Sequence, residues 1–283
     1  ALYIDELPTD DARGSRAFAD LSLFDVQRVE VLRGPQGTLF GSGALGGAIR
    51  VLTNKPALDK VEGRALVDYW LTDGGKGSYA LKGMVNMPIV TGRVAVRAVG
   101  YYRYNGGWVD NVTTGARNVN DDTTYGGRLS IKADVTERFS ITASAIFQKM
   151  KVGESALLDR VDGRFVRKNP LESSMATESG IFNLNAEYDL GWANLMSSTT
   201  VNRKKTDVVN GYEQGYGDLP LSIRGPDKGH GFAQEVRLSS SGKGAFHWVV
   251  GAFYFERDRK AVSLFESPGN GPLLGLDNDI LLD

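Results

Sequence analysis

Phe182-Asn183-Leu184-Asn185-Ala186-Glu187-Tyr188-Asp189-Leu190 decides the fold. Five apolar residues, from Phe182 to Leu190, alternate with Asn183, Asn185, Glu187 and Asp189 without a break. Period two sends successive side chains to opposite faces, so the segment is a strand with one apolar and one polar face. A face built from Asn, Glu and Asp is too hydrophilic for a sandwich core. It suits solvent or a wet lumen.

The pattern recurs on both sides. Phe139, Ile141, Ala143, Ala145 and Phe147 face away from Ser140, Thr142, Ser144 and Gln148. Val94, Val96, Ala98, Tyr102 and Tyr104 oppose Arg93, Arg97 and Arg103. About nine such strands are expected, near 60–72, 76–88, 92–105, 122–135, 138–150, 179–190, 192–204, 230–240 and 246–258. In the last of these, both faces are apolar and the lipid-facing side is open. Short links at 88–92, 135–138, 191 and 241–245 alternate with long ones at 106–121, 151–178 and 205–229; only 73–76 is short where length is expected. Short turns on one side and long loops on the other are the mark of a transmembrane β-barrel. Aromatics near the strand ends (Tyr69, Trp70, Tyr79, Tyr102, Phe139, Phe147, Phe182, Tyr188) fit two interfacial girdles. A β-sandwich, the competing architecture, has shorter strands and no such alternation.

The bulk numbers agree. The 283 residues contain no apolar run long enough for a transmembrane helix. Net charge is −1, which gives no reason to expect a nucleic-acid partner, and there is no Cys. Nine strands are an odd number for a bacterial barrel, and Leu281-Leu282-Asp283 reads as loop, so further strands are expected beyond Asp283 and the chain as a fragment.

Residues 1–58 break the pattern and form a front domain, with the barrel part at 59–283. Leu2-Tyr3-Ile4, Gln27–Leu32 and Ala48–Thr53 read as short strands, Phe18–Phe24 as weakly helical, and Arg33-Gly34-Pro35 as a sharp turn. Gly41-x-Gly43-x-x-Gly46 matches the dinucleotide fingerprint in form only. That motif needs a following helix, whereas Ile49-Arg50-Val51-Leu52-Thr53 is β-branched and stopped by Asn54-Lys55-Pro56. Tight turns between packed backbones are the reading that remains.

Chemistry is sparse. His230 and His247 lie on different segments, too few for a zinc site. Asp159-x-x-Asp162-Gly163 and Asp277-x-Asp279 lack the ligand set of a calcium loop. No nucleophile–base pair is visible, so no enzyme, metal or cofactor is expected.

Val29-Glu30-Val31-Leu32-Arg33-Gly34-Pro35-Gln36-Gly37-Thr38-Leu39-Phe40-Gly41, then Gly46-Gly47-Ala48-Ile49 and Thr53-Asn54-Lys55-Pro56, resemble the end of the plug of TonB-dependent outer-membrane receptors. Leu2-Tyr3-Ile4-Asp5 resembles the plug strand upstream, with Asp5-Glu6 where the family often has Asp-Gly; Gln234-Glu235-Val236-Arg237-Leu238 is a weaker likeness. The resemblance implies an all-β chain with a small α+β plug, and a partial antiparallel barrel from a parent of about 22 strands, wide enough to need a plug. It implies a bacterial outer-membrane location among lipid and lipopolysaccharide. The implied activity is active import of a scarce nutrient, most often a ferric siderophore, energised by TonB and its inner-membrane complex. Neither a TonB box nor the first plug half is found in these residues. Cobalamin, nickel chelates or oligosaccharides use the same scaffold, and a structural or adhesive barrel is a further reading. Glu30, Arg33, Gly34, Pro35, Gly37, Gly41, Gly46 and Gly47 carry the plug motif, with Arg33 implied as a lock against barrel-wall carboxylates. Arg13, Arg16 and Phe18 resemble an apical ligand-binding loop, and Trp108, Tyr212 and Tyr216 lie in long loops. Arg64, Asp68, Arg97, Arg103, Arg128, Lys132, Asn183, Asn185 and Glu187 are expected to face the plug.

Overall fold

The computed structural model describes residues 2–5, 7–8, 22–34, 46–154, 159–161, 164–216, 219–242, 246–272 and 280–282. Four strands come first: β1 (Leu2–Ile4), β2 (Leu7–Pro8), β3 (Val26–Arg33) and β4 (Gly47–Thr53). They form one small sheet in the order β2-β1-β4-β3. β1 runs parallel to β4, with Ile4 opposite Val51, and β3 runs antiparallel to it, with Arg33 opposite Gly47. Gly47 has φ +132°, and a Cβ there would stand 2.3 Å from the Leu32 carbonyl oxygen. Only glycine closes this pairing. Tyr3, Ile4, Ala48 and Val51 are buried, the few apolar groups so small a sheet can cover.

No α-helix occurs among the described residues, so the expected α component of the plug is corrected there. Of Phe18–Phe24 only the end lies within them, and it is not helical. The Ser22 hydroxyl accepts the Phe24 N–H at 3.3 Å, a local bond that competes with a helical turn, and Asp25 follows at φ 60°.

The remaining strands are β5 (Glu62–Trp70), β6 (Ser78–Val90), β7 (Val94–Asn105), β8 (Asp110–Asn111), β9 (Asp122–Thr136), β10 (Phe139–Val152), β11 (Asp159–Val161), β12 (Arg164–Arg167), β13 (Ser174–Asp189), β14 (Ala193–Tyr216), β15 (Leu219–Ser240), β16 (Val249–Ala261), β17 (Leu264–Glu266) and β18 (Ile280–Leu282). All nine long strands read from the alternation are present, and each long strand pairs antiparallel with the next in one sheet. Two short strands, β17 and β18, bring that sheet to 11. Among the described residues β5 pairs only with β6 and β16 only with β15, so both flanks are edges, as expected of an open sheet.

Three loop expectations are corrected. The 205–229 stretch is largely strand: β14 and β15 extend as a tall hairpin of 24 and 22 residues, with Thr206–Tyr212 paired to Leu221–Asp227. Pro220, Gly225, Pro226, Gly229 and Gly231 read as breakers in one dimension. β16, however, ends opposite Asp227, so Pro226 sits where the sheet narrows and its carbonyl accepts Val262 N–H at 3.1 Å. β13 begins at Ser174, inside the expected 151–178 loop. That loop and 106–121 also join as a three-stranded sheet in the order β11-β12-β8.

Cross-strand register divides the main sheet into two faces. All nine residues expected to face the plug share one face, traced through Arg64↔Met84, Asp68↔Ala80, Arg97↔Ser130, Arg103↔Thr124, Lys132↔Thr142, Asn185↔Ser198 and Glu187↔Met196. The opposite face exposes Val67, Leu81, Val85, Ile131, Phe182, Leu184, Val201, Val236 and Tyr254. Two aromatic levels bound it. Phe139–Tyr188 and Trp192–Trp248 stand at the short-turn end, each with centroids 6.1 Å apart, and Tyr79–Tyr102 stacks at the long-loop end at 5.9 Å. Along β10 the outward face stays apolar from Phe139 to Phe147 and turns charged at Lys149. Ten residues of tilted strand reach about 25 Å, the height of an outer-membrane apolar band. In β16, Tyr254 is opposite outward Gln234, whereas Phe253 and Phe255 lie on the plug side.

Candidate functional site: plug latch and loop clasp

Among the described residues, one buried carboxylate joins the plug to two strands of the wall. Asp25 sits in the turn entering β3, in a left-handed conformation that Asp tolerates. Arg97 of β7 grips it with Nε to Oδ2 at 2.8 Å and Nη2 to Oδ1 at 2.5 Å. Arg128 of β9 donates Nη2 to both Asp25 Oδ2, at 2.8 Å, and the Asp25 carbonyl, at 2.7 Å. Asn54 Nδ2 donates to Oδ1 from the strap that leaves β4. The side chains of Asp25, Arg97 and Arg128 are 1%, 6% and 9% exposed. Burial pushes the Asp25 carboxyl up, but hydrogen bonds from Arg97 and Asn54 and the two guanidinium charges outweigh it and hold it below the usual carboxylate range.

Around this ion triad lies a smaller frame. Glu62 of β5 accepts Arg97 Nη1 at 3.1 Å. The side chain of Asn86, fully buried on β6, accepts Ala57 N–H and donates to the Ala57 and Lys60 carbonyls, which fixes the strap between plug and barrel. Lys55 reaches Glu187 at 3.4 Å. Ile4, Phe24 and Val51 of the plug and Val99 and Ile146 of the wall line one crevice beside the latch. Asp5 ties the plug sheet to itself: its carboxylate accepts Thr53 N–H and Oγ1, both at 2.8 Å.

The long-loop end carries a second buried cluster. Arg167 of β12 donates Nε to Glu154 Oε2 at 2.7 Å and Nη2 to Ser173 Oγ at 2.9 Å and to the Gly211 carbonyl at 3.1 Å. Asn169 Nδ2 reaches the same carbonyl at 2.7 Å, and Asn111 Nδ2 donates to the Asn169 carbonyl at 2.9 Å. These bonds clasp Asn111, Glu154, Arg167, Asn169, Ser173 and the β14 extension at Gly211 together. The exposed rings of Trp108 and Phe165 meet edge to face above it at 5.9 Å.

Of the residues singled out in the sequence, Arg13, Arg16, Phe18, Pro35, Gly37 and Gly41 lie outside the described residues. Glu30 bonds Arg28 at 2.7 Å and pairs with Arg50 at 3.5 Å. The hydrogen bond from Arg28 leads the effects that hold its carboxyl low. Arg33 is exposed at the end of β3, Gly34 turns the chain at φ +84°, and Gly46 precedes β4. His230 lies outward on β15, 3.8 Å from Asp258. Sequence reading placed Arg97 and Arg128 on the correct face but missed their partner. The available signal was that two guanidiniums on adjacent strands, offset by two residues, demand an anion between them.

The family described as TonB-dependent Receptor Plug Domain matches residues 1–48. The pesticin receptors of Yersinia enterocolitica and Yersinia pestis are 47% identical over 55 residues, which is 19% of this chain and 7% of theirs. The ferric yersiniabactin uptake receptor FyuA of Yersinia pestis superposes with TM-score 0.78 at 20% identity, over 94% of this chain and 41% of the receptor. The ferric citrate transporter FecA gives 0.76 at 14% identity, and the siderophore receptor PiuA of Acinetobacter baumannii 0.72 at 16%. They are covered over 94% and 93% of this chain and 39% of each receptor. The chain thus spans about two-fifths the length of these solved receptors. Residues 1–48 match the TonB-dependent receptor plug family, and the described chain, with its plug strands latched to the polar face of a barrel sheet, shares the fold of these solved receptors.

Proposed function

We propose that this chain is part of a TonB-dependent importer that carries a ferric siderophore across the bacterial outer membrane. The observation that carries the reading is the latch: a plug held to the polar face of the wall by buried ion pairs around Asp25. Import requires a plug that is seated at rest and displaceable under force. Polar contacts in a wet lumen exchange for water as they break, whereas a fully apolar interface would have to expose its whole area. The relatives support the cargo, since FyuA is named for ferric yersiniabactin uptake and FecA for ferric citrate. TonB pulling on the plug would act against the Arg97–Asp25–Arg128 contacts. Arg13, Arg16 and Phe18 would present guanidinium forks and a ring to the chelate, and Arg33 would add a tether at the far end of β3. Residues 1–58 serve as plug and 59–283 as barrel in this reading.

Radioiron uptake tests it. The receptor is expressed in cells lacking their own siderophore receptors, with and without TonB, and offered catecholate, phenolate and carboxylate ferric siderophores. Uptake of at least one chelate only in the TonB-positive cells is expected. Equal uptake without TonB, or uptake of cobalamin or an oligosaccharide in place of every chelate, overturns it.

A further inference from the structure

The latch leaves one strong donor without an acceptor. Arg128 gives Nη2 to the carbonyl and to Oδ2 of Asp25, but its Nε is buried with no hydrogen-bond partner among the described residues. The side chain is 9% exposed, so bulk water does not answer it. A guanidinium keeps its protons and can only donate, and a buried donor left unmet is a cost that folded proteins seldom carry. The acids around it are engaged elsewhere. Asp25 is shared by Arg97, Arg128 and Asn54. Glu62 takes Arg97 and Lys60. Asp5, whose charge reaches Arg128, accepts Thr53 N–H and Oγ1.

Arg128 borders the crevice between plug and wall, whose volume is about 20 Å³. A guest the size of one water fits there and a larger one does not. Most of the lining is apolar, with Phe24 and Val51 from the plug and Val99 and Ile146 from the wall. The Ser22 hydroxyl also borders it; its oxygen accepts the Phe24 N–H, which leaves its own proton to donate. A water in this crevice must place two hydrogens on acceptors within a mostly apolar lining. A monatomic anion needs only donors, and it meets the guanidinium's charge in a low-dielectric site. We infer that the crevice is a halide site, in which one chloride-sized anion is held by Arg128 Nε–H and the Ser22 hydroxyl beside the Asp25 latch. Ser22 belongs to the plug and Arg128 to the wall, so an anion between them joins the two. Plug seating then depends on the chloride of the medium, whatever cargo is carried.

Hydrogen exchange of β3 and β4 in detergent-purified receptor tests the site, with chloride replaced by gluconate, an anion too large to enter, at a constant ionic strength of about 0.15 M. Exchange should run at least about threefold slower in chloride, the linkage expected of a ligand at twice its dissociation constant, while the long barrel strands are unmoved. Sulfate, which is also too large, should match gluconate. A crystal soaked in bromide should show anomalous density beside Arg128 Nε. Two variants are each scored by their own ratio of exchange in gluconate to exchange in chloride, so a change in basal stability cancels. Ser22→Ala removes a donor and should lower the ratio. Val99→Leu fills the crevice with one more methylene and should bring the ratio to about one. No difference between chloride and gluconate in wild type, equal slowing by sulfate, or the wild-type ratio in both variants overturns the site. Water in place of bromide at Arg128 Nε overturns it as well. Bromide density with no effect on exchange marks an adventitious ion only and has the same consequence.

Discussion

Among the described residues Asp25 alone meets both wall arginines, Arg97 and Arg128, so its replacement should be costly. Asp25→Asn keeps the shape and a side chain that tolerates the left-handed backbone, and leaves Arg97 with Glu62 alone and Arg128 buried without the carboxylate it shares. Removing one partner of a buried ion pair costs about 3–5 kcal/mol. We expect hydrogen exchange in β3 and β4 to quicken by two or more orders of magnitude while the long barrel strands keep their protection. Unchanged exchange would remove Asp25 from the latch. The acid dependence follows from the same contacts. The folded-state pKa of Asp25 lies below its ordinary 3.8, so its contribution is complete above that value and is lost as pH falls through the lower one. Plug protection should therefore be flat from pH 8 to about 5 and fall only below about 4; a loss near pH 6 would implicate another group. The lumen residues were legible because alternation assigns a face to every side chain, and Arg97 and Arg128 needed nothing more. Asp25 was not, because a lone acid in a turn has no period, and its partners are 72 and 103 residues away.

At the scale of single elements, the alternation gave all nine long strands to within a few residues at most ends, because a two-faced environment forces period two on any sequence that crosses it. It failed above the band. From Thr206 to Asp227 the buried positions of the β14–β15 hairpin are small or polar (Thr206, Gly211, Ser222), so no apolar stripe marks the strand, and Gly and Pro dominate the reading. The register makes a sharp test inside the band. Leu184 is exposed on the outward apolar face between Phe182 and Ala186, whereas neighbouring Asn183 bonds Ser198 and Thr200 on the plug side at 2.9 and 2.8 Å. Leu184→Arg should cost about 2–4 kcal/mol in unfolding from bilayers. Asn183→Ala should cost about 1 kcal/mol, the scale of an ordinary hydrogen bond. The reverse ranking would mean the faces are exchanged. In the plug, Gly47→Ala would drive a methyl to 2.3 Å from the Leu32 carbonyl at φ +132°. A loss of about 1–3 kcal/mol is expected, read as fraying of β3 from β4.

At the scale of the whole molecule, the latch and the clasp divide the labour between the two ends. Near the strap, Arg97 of β7 and Arg128 of β9 hold one plug turn, with Glu62 of β5 bracing Arg97. At the long-loop end, Arg167 binds residues from three segments, and no plug residue takes part in the described contacts. The two clusters share no partner among the described contacts, so their losses should be nearly additive. Arg167→Met keeps the apolar stem, strands Glu154 in a buried site and leaves the Gly211 carbonyl to Asn169 alone. We expect protease cleavage within 113–117 and 168–173 to rise at least tenfold and cargo affinity to fall, with β3 and β4 exchanging as in wild type. Combined with Asp25→Asn, the two losses should add within about 0.5 kcal/mol. A coupling well above that would mean that loop order is transmitted to the plug through the wall. Arg103, which bonds Asp122 and Thr124 at 3.4 Å on the lumen face between the two clusters, would then be the first strut to remove.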